Sequence, residues 1–495
     1  MNCIICYDAV ADDDIKCRNC HSSIHKNCWN CVDDKTRCPY CREVMMYDID
    51  YHEVRDLSEL KEADDSVEFI DLYIPPKLFR DSKLRHVKFT NCKVNDCRTL
   101  FANANKLETV DMSGLDLSEA TSCCAMFCGC VSLYLINFGE ANTSNVRNMS
   151  MMFEECRSLI NMDLKFDTSN VRNMKGMFMG CENMERINLS TFNTSNVVNM
   201  AAMFLSVNIK SIDLSSFNTS NVTDMSEMFC HCEYLETIDV SNFNTSNVTD
   251  MSKMFFNCRS LVHIDLPFET SKVKNMSDLF ADCRDLLTVN VSNFNTSNVT
   301  DMSRMFFNCD NLRAIDVSNF NTSNVIGMRD MFAHCKELEA IDVSHFDTSN
   351  VKDMAGAFEG CKSLRELNVS GFDTSNVVNM AAMFSECYEL KTLDVTNFDT
   401  SNVWTMYSMF SECYELKTLD VSKFNTSNCI NIGFMFQKCR NIEELDLSHF
   451  DTSKIIYADR TFSGCSMLKT INTKLDLSHT KSSISTFEGC DQLKQ

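Results

Sequence analysis

The chain has little of the two residues that usually punctuate a fold: 12 Gly and 4 Pro in 495 positions. This excludes collagen-like, polyproline and flexible-linker architectures, and it leaves turns to be built from Asn, Asp, Ser and Thr. Positive charge is also short. Lys and Arg number 46 against 69 Asp and Glu, a net charge of -23, which argues against a nucleic-acid partner, because neutralising phosphates requires clustered Lys and Arg. No run approaches the ~18 to 20 uninterrupted apolar residues of a membrane span, so none is expected. The sequence MNCIICYDAV has no basic stretch ahead of an apolar one and reaches a cysteine pair by Cys6, so it does not read as a secretory signal. The expected location is the reducing cytoplasm, that of the host cell if the source is viral. The 29 cysteines then read as zinc ligands or buried thiols rather than disulfides. There is no P-loop, G-x-G-x-x-G or H-E-x-x-H motif, so hydrolase, kinase and oxidoreductase readings lack a constellation.

What is present is repetition. Hydrophobic residues make up 44% and charged residues 23%, which is globular usage. From about residue 95 a phenylalanine recurs at Phe101, Phe127, Phe153 and Phe178, and so on to Phe462 and Phe487, always 25 or 26 residues apart. A fixed period of this size means a solenoid, here of about 16 units. In the unit FNTSNVTDMSEMFCHCEYLETIDVSN, which starts at Phe217, Val222, Met225, Met228, Phe229, Cys232 and Leu235 fall at steps of three or four. That spacing predicts one face of a short helix or 3₁₀ coil, with Asn221 and Asp224 as its capping residues. Ile238 and Val240 alternate with Asp239 as in a short, half-buried strand. One unit buries too few apolar side chains to offset the ordering of its own backbone, so stacking must supply the rest.

The unit L-x-x-I-D-V-S-x-F-(N/D)-T-S-N-V-x-x-M-x-x-M-F-x-x-C resembles the BspA-like leucine-rich repeats over roughly residues 100–490. The resemblance implies an α/β solenoid, leucine-rich-repeat-like, whose usual role is protein binding. The expected organisation is a small zinc-stabilised domain at 1–46, an acidic connector at 47–64, an N-terminal cap at 65–98 and the array at 99–495.

Three columns run through the units. Cysteine stands three residues after the phenylalanine from Cys130 to Cys490, and Val207 breaks the series. A valine cannot ligate, so the column reads as small apolar filler rather than a metal or redox ladder. The T-S-N run predicts side-chain hydrogen bonds between adjacent coils. Asp213, Asp239, Asp265, Asp316, Asp342, Asp394 and Asp420 lie between two inward strand residues and should point out of the sheet about 4.8 Å apart. They form a candidate strip for recruiting a basic protein by electrostatic steering, or else serve solubility and edge protection. Beside them Arg186, Thr237, His263, Ala314, Glu366 and Glu444 vary from unit to unit.

Residues 3–41 read C-x2-C-x10-C-x2-C-x4-H-x2-C-x9-C-x2-C. Eight thiolate and imidazole donors in paired knuckles match tetrahedral zinc coordination and make two closed sites. A segment of this size folds on metal-binding energy rather than on a core. The ligand set is Cys3, Cys6, Cys17, Cys20, His25, Cys28, Cys38 and Cys41, with Cys31 and His21 as further candidate donors. The arrangement resembles a RING finger. By that resemblance Cys3, Cys6, His25 and Cys28 hold one ion, and Cys17, Cys20, Cys38 and Cys41 the other. Ile5 and Pro39 would contact a ubiquitin-conjugating enzyme, and Arg42 would bridge that enzyme to its ubiquitin. The implied function is a RING-type E3 ubiquitin-protein ligase, without a catalytic residue or covalent intermediate of its own, whose solenoid binds the substrate protein. The alternative is a non-enzymatic protein-binding scaffold with a structural zinc finger. A PHD-type reader shares the ligand order, but it places a tryptophan two residues before the seventh ligand, where this chain has Thr36.

Overall fold

The computed structural model describes residues 15–16, 23–24, 49–472 and 475–493. Ile15–Lys16 and Ser23–Ile24 pair antiparallel. From His52 onward the chain winds as a stack of coils held by parallel ladders. The first ladder joins His52–Val54, Ser66–Ile70, His86–Thr90, Thr109–Asp111 and Leu135–Asn137. It continues as Asn161–Asp163 with Arg186–Asn188, His263–Asp265 with Thr288–Asn290, and Glu444–Leu445 with Thr470–Ile471. Between them Ala314, Ala340, Glu366, Thr392 and Thr418 bridge in register. The segment expected as a connector, 47–64, thus already contributes a strand to the sheet. A second parallel ladder links one residue per coil from Ser122 through Asp224 and Asp301 to Tyr457 and Ser482.

The helical half of the α/β expectation is corrected. Among the described residues the one helical element is a single 3₁₀ turn, Leu57–Glu59, closed by a capping box between Asp56 and Glu59. The fold is a β-solenoid whose third side is built of consecutive tight turns. The reason lies in the backbone. Glu227 and His231 have φ of 58° and 59°, a left-handed conformation that a right-handed helix cannot contain. The amides then alternate in their use. Met228, Cys230 and Cys232 donate three residues back within the turn, while Glu227, Phe229 and His231 donate to the carbonyls of Ser252, Met254 and Phe256 in the next coil. A chain of three-residue turns returns inward side chains at steps of three and four, so its sequence pattern mimics a helix.

One continuous core fills the coils. Its spine is a ladder of parallel phenylalanine rings, 4.8 to 6.1 Å between centroids and within 14° of coplanar. The ladder begins at Phe79, one coil before the repeat is visible in the sequence, and ends at Phe487. Offset stacking at these distances adds to area burial. The T-S-N ladders form as expected. Thr219 Oγ1 donates to the Asn244 carbonyl at 3.0 Å, and Asn221 Nδ2 donates to the Ser195 carbonyl at 2.7 Å. Asn221 therefore ties coils together instead of capping a helix. Among the described residues no helix is long and apolar enough to cross a membrane.

Candidate binding surface

The strand side of the solenoid presents the candidate strip. Each coil sends one apolar residue inward and its two neighbours outward: in His263–Asp265, Ile264 is buried while His263 and Asp265 are exposed. All seven aspartates of the strip are exposed. With Asn290 and Asn368 in the gaps, they form an unbroken file along consecutive coils, and Asp446 extends it by one more.

Each aspartate also has a local task that polarity alone does not reveal. Oδ1 of Asp213 accepts the amide of Ser215, Asp316 that of Ser318, Asp342 that of Ser344 and Asp420 that of Ser422, at 2.9 to 3.0 Å. These bonds close the turn that follows the strand. Hydrogen bonds from the serine hydroxyl and amide hold these carboxyls below their ordinary range, and Thr396 does the same for Asp394. For Asp239 the Ser241 amide is the larger influence and its hydroxyl the smaller. Where a coil carries asparagine the turn survives: Asn290 and Asn368 accept the amides of Ser292 and Ser370 at 3.1 and 3.2 Å. Asn290 in turn donates to Asp265 at 2.8 Å. The D-x-S spacing is the sequence signal of such a turn. Apart from Asp265, which is followed by Pro267 and has no amide to accept two residues on, the strip is a row of turn-closing groups, and Asn290 and Asn368 show that the turn forms without the charge.

Flanking columns change from coil to coil. Lys210 pairs with Glu236 and Lys469 with Glu443, both at 2.7 Å, and Arg365 lies between Glu339 and Glu389 at 3.7 and 3.3 Å. Such exposed pairs contribute little to stability, but they set the pattern of charge. An open trough of about 660 Å³ runs over the same face, lined by Ile341, Asp342, Glu366, Asn368, Thr392 and Asp394 among others.

The cysteine column is structural, and its thiols also donate. Cys232 Sγ lies 3.1 Å from the Phe204 carbonyl of the preceding coil, and Cys361 Sγ 3.2 Å from that of Phe332. Burial pushes both thiols up to about 12. Among the described residues no group of three or more His, Cys, Asp or Glu could hold a metal ion. The eight predicted zinc ligands, with Cys31, His21, Ile5, Pro39 and Arg42, lie outside the described residues.

Comparison with solved structures finds a leucine-rich repeat protein from Bacteroides ovatus, 17% identical, covering 89% of this chain and 88% of that one at a TM-score of 0.38. A leucine-rich repeat protein from Eubacterium ventriosum is 14% identical over 74% of this chain and 87% of its own, at 0.37. A leucine rich cell surface protein from Faecalibacterium prausnitzii is 15% identical over 86% and 87%, at 0.30. No curated protein matches. The family described as "Mycoplasma protein of unknown function, DUF285" matches residues 78–187, 135–209, 177–288, 278–393, 327–419 and 382–495. These overlapping segments run from 78 to 495, so the chain belongs to the DUF285 family.

Proposed function

We propose that this chain is a non-enzymatic protein-binding scaffold that recruits a basic partner on the strand side of its solenoid. The observation that supports this reading is the file of exposed aspartates. An asparagine closes the same turn, yet most coils spend a negative charge there, next to side chains that differ from coil to coil. A charge that the turn can form without, repeated on a regular lattice, suits steering and selection of a partner more than architecture alone.

The test separates charge from turn. Asp316→Asn, Asp342→Asn, Asp394→Asn and Asp420→Asn together keep every Oδ1 acceptor and remove four charges. Binding of lysine- and arginine-rich peptides from an arrayed set should fall at least tenfold in this variant and weaken steeply with salt in the parent, while the variant still unfolds in one cooperative transition. Equal binding by variant and parent would overturn the reading.

A second reading rests on the spacing of Cys3 to Cys41. We infer from it that 1–46 binds two zinc ions and serves a RING-type ubiquitin ligase in which the solenoid holds the substrate. The antiparallel pairing of Ile15–Lys16 with Ser23–Ile24, on either side of Cys17 and Cys20, is in keeping with paired knuckles. Incubation with ubiquitin, activating enzyme and a panel of conjugating enzymes should yield chains that disappear with Ile5→Ala or Arg42→Ala while two zinc ions remain bound. Zinc content of two without chains from any conjugating enzyme leaves the scaffold. The cytoplasmic location belongs to this reading as well, and the free thiol state of the described cysteines suits a reducing compartment.

A further inference from the structure

The repeat supplies its own control for every exposed position, because each column meets nearly the same surroundings in every coil. The residue after the buried valine of T-S-N-V faces outward beside the second ladder. In most coils it is polar, as at Arg147, Arg172, Thr223, Thr249, Lys274 and Thr300. Val198 and Ile326 are isolated exceptions. Near the C-terminal end the column changes character for four consecutive coils: Val378, Trp404, Ile430 and Ile456. These residues are linked vertically by their backbones. Trp404 donates its amide to Val378, Ile430 to Trp404 and Ile456 to Ile430, at 3.0, 2.9 and 2.8 Å. Their side chains therefore form one continuous apolar strip. Trp404 is 47% exposed, Val378 40%, and Tyr407 and Tyr457 beside the strip 40% and 43%. The core gains nothing from them, since Thr or Lys serves the same place elsewhere.

Cations border the strip at both ends. Lys352 precedes Val378 in the same column, and Lys481 follows Ile456, each through a 2.9 Å backbone bond. Among the described residues neither lysine forms an ion pair. Lys454, nearby, donates to the Asn428 side-chain oxygen at 2.8 Å and also lies within electrostatic reach of Asp451. The carboxylate nearest in sequence to the strip's end, Asp459, is already engaged by the Ser482 hydroxyl and the Ile484 amide. In a chain of net charge -23, lysines without an ion pair at both ends of an apolar strip are positive charges open to a partner's carboxylates. Lys352 and Lys481 are five coils apart, about 24 Å at the ladder spacing, a length that about eight extended residues cover.

We propose that this strip is a docking site for an acidic peptide segment of a partner protein, with large apolar residues in its middle and carboxylates toward both ends. The apolar residues cover Trp404 and Ile430, and the carboxylates meet Lys352 and Lys481. The site lies on the second ladder, away from the aspartate file, and selects the opposite charge. A bilayer is the less fitting occupant: the strip is one column wide, and the acidic body would be repelled by anionic lipid.

Panning a random 12-residue peptide library against the full-length protein and against a Trp404→Thr, Ile430→Thr double variant tests this. The variant restores the residue other coils use, so its melting temperature should match the parent. Peptides retained by the parent alone should carry an apolar centre flanked by Asp or Glu. With Trp29→Phe leaving Trp404 as the sole tryptophan, a selected peptide should blue-shift and shield its fluorescence. Lys352→Glu with Lys481→Glu, which alters only surface charge, should weaken that peptide at least tenfold. The proposal is overturned if the double variant retains the same peptides, if the strip-dependent peptides are basic or uncharged, if the charge-reversed variant binds equally, or if phosphatidylserine vesicles shift Trp404 while no peptide does.

Discussion

At the scale of single residues, burial decides what the thiols do. Cys361 and Cys413 have no exposed surface, and burial pushes both up to about 12. Thiolate is the reactive form, so they are inert near neutrality. Cys490, on the last coil, is only partly buried. Alkylation of the native protein at pH 8, mapped by peptide mass, is expected to label Cys490 and to spare Cys361, Cys387 and Cys413; labelling of these three before unfolding would contradict their burial. The filler role of the column was legible in the sequence, because Val207 does the same job. The sulfhydryl bond to the preceding coil was not, since it depends on which carbonyl the winding places beneath the sulfur. The aspartates divide in the same way. Their outward direction follows from alternation with Ile238 and Val240, whereas their turn-closing role follows from the D-x-S spacing, which was present but reads as polarity until the turn is seen.

A single coil shows why the strand was legible and the helix was not. Period-two alternation points almost uniquely to an extended chain with one face buried, but steps of three and four arise both from a helix and from a string of tight turns. The deciding property is the sign of φ, and side chains such as Glu227 or Lys253 do not announce left-handed backbone as glycine does. In two coils glycine takes both places, Gly176 and Gly180 at φ of 60° and 72° and Gly356 and Gly360 at 62° and 69°. Ala382 occupies the first of these places at φ 56°, and this gives a test whose sign separates the two structures. In a helix Ala382→Gly would cost about 1 kcal/mol. In the turn it relieves a left-handed alanine and is expected to stabilise by about 0.5 to 1 kcal/mol after the entropy of the unfolded glycine is offset. Ala382→Val, which puts a branched side chain in that conformation, is expected to lower stability by about 1 to 2 kcal/mol. Urea midpoints of the two variants read the result.

Across the whole molecule the columns act together, because every coil meets only its neighbours and the same group recurs along the stack. Charge regulation is therefore multiplied. A buried thiol whose proton is held to about pH 12, as at Cys232, Cys361 and Cys413, ionises in the unfolded chain from about pH 8.5 to 9. The folded pKa is the higher, so the folded state binds more protons above that point. The contribution is complete below about pH 9 and is lost as pH rises toward 12, by up to about 1.4 kcal/mol per pH unit for each thiol that unfolds. On the acid side the depressed carboxyls of the strip work in the opposite direction, and their contribution is present above the unfolded value and lost as pH falls through the folded one. The urea midpoint is thus expected to be flat from about pH 6 to 8 and to drop steeply above 9. Cys361→Val with Cys387→Val, which copies the natural Val207, should make that alkaline drop shallower by about 1.4 kcal/mol per pH unit for each valine. An unaltered slope in this variant would assign the alkaline loss to the exposed lysine and tyrosine groups instead of the core.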